Sequence, residues 1–248
     1  MQEREYAMPG TGTVINAAAI VLGGLAGLLF GKFFDESKQD ALSKACGVSV
    51  LFIGIAGALE GMLTVEGASV ASGKGMLITI CLAAGAFIGE WIGIEDLFER
   101  FGAWLKIKTG NAGDKKFIEG FVTASLTVCI GAMAIVGAIQ DGIGGDFSIL
   151  ATKAILDFVI ILVMTCSMGK GCLFSAIPVA AFQGSVTALA RLVQPLMTET
   201  ALSHISMTGS ILIFCVGVNL VWGRKIRVAN FLPALVLAAA AAFLPINF

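Results

Sequence analysis

The chain has 248 residues, of which 57% are hydrophobic and 13% charged, against about 25% charged in a typical soluble domain, and this balance marks a membrane protein. A net charge of −1, with no run of Lys or Arg laid beside aromatic residues, excludes a nucleic-acid partner. The six cysteines, Cys46, Cys81, Cys129, Cys166, Cys172 and Cys215, have no paired metal spacing and read as small hydrophobes, so neither a disulfide framework, a metal site nor a cofactor is expected.

The first ten residues, MQEREYAMPG, lack the basic region and cleavage site of a secretory signal, so the first apolar run reads as a retained span. Crossing the hydrocarbon core takes about 20 apolar residues. Eight runs qualify, at roughly 13–31, 45–63, 75–94, 117–140, 149–168, 172–194, 205–223 and 229–246. They imply an all-α polytopic membrane protein of about eight transmembrane helices, with the lipid bilayer as its first partner. Such spans use most of the chain, which reads as a single integral membrane domain, 1–248. One sizeable linker, 95–116, spaces Leu97, Phe98, Phe101, Trp104 and Leu105 along one side and predicts an interfacial amphipathic helix.

Linkers after the odd-numbered spans hold Lys32, Lys38, Lys44, Arg100, Lys106, Lys108, Lys115, Lys116, Lys170, Arg224, Lys225 and Arg227; the other side has Arg4, Lys74, Lys153 and Arg191. Under the positive-inside rule both termini then lie outside the cytoplasm. Gly23, Gly27 and Gly31 recur every four residues, as do Gly85, Gly89 and Gly93. Such stripes let another helix approach closely, within the chain or in a homo-oligomer. The second run, GVSVLFIGIAGAL, and the seventh, GSILIFCVGVNLV, share a pattern and would run in opposite directions, as inverted repeats in transporters do.

The run from Leu150 to Met168 reads as a span yet carries Lys153 and Asp157. A charge at the bilayer centre costs about 2.5–3.5 kcal/mol on insertion scales, so such groups face a bundle interior or a wet cavity. Four residues apart, the two share a helix face and can pair. They read either as a structural ion pair or as a polar site kept wet on a transport path. In the fourth run Ser125, Thr127 and Gly131 suit either an unwound helix that offers backbone groups to a solute or tight packing, and Gln140 and Asp141 lie at its outer end. In the sixth, Pro178 predicts a kink beside Gln183, with Arg191 further out, at the site's mouth or at the interface. Asn16, Glu60, Glu90, Asn219 and Asn230 fall near span ends, where interface anchoring or helix bonding is expected, and His204 falls in an outer loop. With no histidine in a span, no metal cluster and no nucleophile elbow, the chain does not read as an enzyme.

The segments GTVINAAAIVLGGLAGLLFGK, SLTVCIGAMAIVGAIQDG, KAILD, PVAAFQGSVTALA and RVANFLPAL, in this order, resemble the YqgA/YdfK family of bacterial membrane proteins, a domain of unknown function. The resemblance runs from about Gly12 to Leu244. It implies the bacterial cytoplasmic membrane and a transport role, and supplies no substrate or functional residues. The expected function is a permease for a small polar or ionic solute, with Lys153, Asp157 and Gln183 at its centre and Asp141 and Arg191 at its outer mouth; an ion channel and a non-transporting scaffold or sensor are the alternatives.

Overall fold

The computed structural model describes residues 8–66 and 69–244. The amino-terminal segment read above as free of a secretory signal, up to residue 7, and the last two residues of the eighth run lie outside them. In chain order the elements are α1 (Thr11–Gly31), α2 (Glu36–Met62), a hairpin of β1 (Leu63–Glu66) and β2 (Ser69–Ser72), α3 (Gly75–Ile92), α4 (Ile94–Lys108), α5 (Phe117–Cys129), α6 (Ala132–Gly144) and α7 (Ser148–Met168). A 3-10 turn (Lys170–Ser175), α8 (Ala176–Ala188), α9 (Ala190–Val193), α10 (Glu199–Trp222), a second 3-10 turn (Val228–Phe231) and α11 (Pro233–Ala241) complete it.

The fold is all-α and polytopic, apart from the one antiparallel hairpin. Among the described residues six helices are long and apolar enough to cross a membrane, or seven if the bent pair α5 and α6 is one span. The eighth run differs from its expectation. It opens with a 3-10 turn, restarts with Pro233 at the first helical position, and leaves an apolar helix over Val228–Ala241. At about 1.5 Å per residue that is shorter than the roughly 30 Å hydrocarbon core.

The chain divides into two compact units, one of Met1–Ser43, Leu105–Cys129 and Met133–Leu196, the other of Lys44–Trp104, Ile130–Ala132 and Met197–Phe248. The first unit is built on α1 and α7, which run parallel with their backbones in near contact. A Cβ added at Gly23 would lie 2.5 Å from the Phe158 carbonyl oxygen, and one at Gly27 would lie 2.5 Å from that of Leu162. Gly31 meets Cys166 in the same way. Ile20, Phe117, Phe121, Leu150, Ile161 and Met164 fill the interior. Each long helix keeps an apolar outer face as well. On α7, Lys153, Asp157 and Ile161 turn inward while Ile155, Leu156 and Val159 stand exposed, the surface a bilayer requires of its solute.

In the second unit α2 and α10 run antiparallel: Gly47 abuts Val221, Gly54 abuts Phe214 and Gly61 abuts Met207. These are the second and seventh runs. Gly85 packs on Ala234 and Gly89 on the Asn230 carbonyl, and Leu77, Ile78, Cys81, Met207 and Ala238 form the core between them. Gly93, grouped above with the packing stripe, instead ends α3 at φ 70°, its N–H bonded to Gly89 O at 2.8 Å. That left-handed conformation carries almost no penalty in glycine.

The α3–α4 corner is held by charge. Glu95 is buried, and its carboxylate accepts from Arg224 Nη2 at 2.7 Å and from Ala229 N at 2.9 Å, while its own N–H donates to Asn230 Oδ1 at 2.8 Å. Hydrogen bonds to charged groups contribute about 1.5–3 kcal/mol, so Glu95→Ala should lower the unit's stability by that order. Thermal denaturation should show a smaller loss for Asp96→Ala, whose carboxylate pairs with Arg227 in the open.

Candidate functional site

The site begins at a break in a helix. The fourth run is interrupted at Ile130 and Gly131, and α5 and α6 meet at 64°. Gly131 sits at φ 147°, a conformation open to glycine and strained for any other residue. Ending α5 at Cys129 leaves its last carbonyls without helical N–H partners, which in an apolar setting must be bonded otherwise. One of them, Val128 O, accepts from Lys153 Nζ at 2.8 Å.

The same ammonium donates to Asp157 Oδ1 at 2.7 Å and Oδ2 at 2.6 Å. The side chains of Lys153 and Asp157 are only 8% and 4% exposed. A lysine has three donors, and here all three are used on protein atoms. In this conformation a carboxylate and a freed backbone carbonyl solvate the ammonium.

Beside the pair lies an amide couple. Asn16 of α1 and Gln183 of α8 are fully buried, and Asn16 Nδ2 donates to Gln183 Oε1 at 3.2 Å. Asn16 is also within hydrogen-bonding reach of the Asp157 carboxylate. The couple is incomplete: Asn16 Oδ1 and Gln183 Nε2 are buried without a hydrogen-bond partner in the protein. Buried polar atoms are satisfied in the large majority of cases, and each exception asks for a reason.

The remaining sequence candidates go elsewhere. Asp141 is buried; its Oδ2 accepts from Gly12 N at 3.1 Å at the amino-terminal end of α1, where the helix dipole favours negative charge, while its Oδ1 is buried without a partner in the protein. Ser125 Oγ donates to Phe121 O at 2.6 Å and Thr127 Oγ1 to Thr123 O at 2.7 Å. Both hydroxyls are spent on their own helix. Gln140 and Arg191 are exposed, and Arg191 forms no ion pair among the described residues. His204, placed by sequence in a loop, lies inside α10, buried, its Nδ1 3.2 Å from Ala238 O. Among the described residues no group of three or more His, Cys, Asp or Glu side chains is placed to hold a metal ion.

The profile of a protein family of unknown function, DUF554, matches residues 11–243, which include every residue of this centre. The chain belongs to that family. Over 232 residues it is 26% identical to an uncharacterised membrane protein, YdfK, of Bacillus subtilis (strain 168), covering 94% of this chain and 95% of the relative. Over 231 residues it is 28% identical to the uncharacterised protein YqgA of Escherichia coli (strain K12), covering 92% and 94%. No solved structure matches.

In this DUF554 member the residue that sequence reading passed over is Asn16. It lies five residues into α1, where interface anchoring or helix bonding was expected, and its helical register favours the second. Asn16, Ile20, Gly23 and Gly27 follow steps of four, three and four, so the amide shares the face that the glycine stripe turns against α7. An asparagine in register with a packing stripe was the available signal.

Proposed function

We propose that this membrane protein carries a small polar solute across the bilayer, with Lys153, Asp157, Asn16 and Gln183 forming the centre that the solute engages. The observation behind this reading is the incomplete amide couple beside a buried ion pair. A network needed only for stability is most stable when every member is satisfied, and a buried ion pair is often no more stabilising than apolar residues of the same volume. Here the charges are satisfied while a neighbouring acceptor, Asn16 Oδ1, and a neighbouring donor, Gln183 Nε2, are left over. A solute bearing one donor and one acceptor, such as a hydroxyl or carboxamide, completes both. The helix break at Gly131 lies where a change of α6 direction would uncover the Val128 carbonyl and release Lys153. In this reading the described conformation is the closed one. The bias of Lys and Arg toward alternate linkers supports insertion in a bacterial cytoplasmic membrane with those linkers inside.

One observation favours a second reading. Lys153 finds all its partners within the protein, as a purely structural pair in a non-transporting scaffold would. Proteoliposomes on a solid-supported membrane, challenged with concentration jumps of a panel of ions, polyols and amino acids, separate the two. The expected result is a transient current for at least one solute that Asp157→Asn reduces at least tenfold in equally reconstituted protein. Undiminished current in that variant would overturn the assignment of the centre, and the absence of both current and uptake of the labelled solutes across the panel, with intact protein, would favour the scaffold.

A further inference from the structure

A second polar feature of the first unit lies at the opposite end of α7 from the ion pair. A pocket of about 510 Å³ opens between the carboxy-terminal ends of α1 and α7, and Lys32, Lys116 and Lys170 line it together with Gln39, Asp114 and Thr165. Each group can be set against its structural duty. Lys32 is the cap residue of α1, and Lys170 directly follows Gly169, the cap of α7. A helix carboxy-terminus carries roughly −0.5 of an elementary charge, so these two lysines in part offset the helix ends. Asp114 contributes one negative charge, and its Oδ1 is bonded to Lys116 N at 3.0 Å. Three positive charges less one for Asp114 and about one for the two helix ends leave a net of roughly +1. Lys116 stands at neither carboxy-terminus; it directly precedes α5, whose positive dipole end disfavours a cation, so it has no such duty.

One lining side chain is a buried hydroxyl. Thr165 is 2% exposed, and its Oγ1 has no hydrogen-bond partner in the protein. A buried hydroxyl of this kind adds a donor beneath the lysines. On the outer side α1 exposes Leu25, Leu29 and Phe30, an apolar flank running up to the pocket rim.

We propose that this pocket binds a phosphate group of about one negative charge, held by Lys32, Lys116 and Lys170 over the Thr165 hydroxyl. The group belongs either to the diester of an anionic phospholipid or to a free phosphate species. Basic pockets between membrane helices are suited to lipid headgroups, and the exposed leucines of α1 offer a path for acyl chains. The site is independent of the solute reading above, because none of its lining residues belongs to the Lys153 centre.

The test is thermal unfolding of the full chain in neutral detergent, with dihexanoyl phosphatidylglycerol, dihexanoyl phosphatidylcholine or inorganic phosphate added. The glycerol lipid should raise the melting temperature by several degrees and the choline lipid should not. A lysine-dependent shift with inorganic phosphate as well would assign a free anion to the same site; a shift with the glycerol lipid alone would assign the headgroup. Lys32→Gln/Lys116→Gln/Lys170→Gln should remove most of the shift, whereas Lys106→Gln/Lys108→Gln/Lys225→Gln, an equal loss of charge outside the pocket, should keep it. Lys116→Gln alone, which removes no charge from a helix carboxy-terminus, should weaken apparent affinity about tenfold even if the triple variant does not fold. An unchanged shift in Lys116→Gln, an equal response to the choline lipid, or no shift with either phosphate source would overturn the proposal.

Discussion

Asp157→Leu is expected to destabilise the first unit by about 3–5 kcal/mol, because it leaves the Lys153 ammonium buried with a single carbonyl, Val128 O, in place of three partners. Lys153→Met should cost a comparable amount by stranding the carboxylate. The double variant Lys153→Met/Asp157→Leu is expected to recover most of the loss, since two apolar side chains of similar volume do without the desolvation that the charges demand. Denaturant unfolding of the four proteins in detergent closes the cycle, and a coupling energy of several kcal/mol is the expected outcome. Losses that simply add would mean that the two side chains do not depend on each other, and would overturn the 2.6 Å contact. The same double variant divides stability from function: a fold that stays intact while the solute-driven current disappears assigns the charges to transport, and intact current assigns them to packing.

The charged pair was legible because its signal is local. Lys153 and Asp157 lie one turn apart in an otherwise apolar run, so their pairing follows from helical geometry alone. The glycine stripes were legible for the same reason, and Gly23 and Gly27 do meet a neighbouring backbone. What escaped depends on distances along the chain that periodicity does not encode. Asn16 and Gln183 are 167 residues apart, and nothing in either run names the other. Asp141 looked like part of a site mouth because depth in the bilayer was the sole guide, whereas its partner, Gly12 N, lies 129 residues away. The helix break was readable only as an alternative, since no proline marks it. Glycine at position 131 permits the turn without requiring it. The described helix of the eighth run is shorter than its hydropathy implied, because hydropathy does not register the 3-10 turn over Val228–Phe231 that takes up its first residues.

Gly23→Ala and Gly27→Ala should be the damaging single-methyl changes along the α1–α7 contact of the first unit. Each new Cβ would sit 2.5 Å from a carbonyl oxygen of α7, and at Gly27 also 2.7 Å from Thr165 Cβ. A backbone oxygen cannot rotate away as a side chain can, so α1 must lift from α7. Overpacking a close contact costs about 1–3 kcal/mol, and a rigid helix pair holds the upper end of that range. Lifting α1 also carries Asn16, two turns from Gly23, away from Gln183, so weakened solute current should accompany the lost stability. Gly31→Ala is the graded comparison, since its Cβ would lie 3.2 Å from Cys166 Cα and a small shift relieves it. Gly184→Ala is the control: it is helical, nothing lies within 4 Å of its added carbon, and removing a helix-interior glycine should stabilise by up to about 1 kcal/mol. Melting temperatures in one detergent should therefore rank Gly184→Ala at or above the parent, Gly31→Ala slightly below, and Gly23→Ala and Gly27→Ala lowest. Equal melting of all four would mean that α1 and α7 are not in backbone contact, and the position of Asn16 beside the ion pair would go with it.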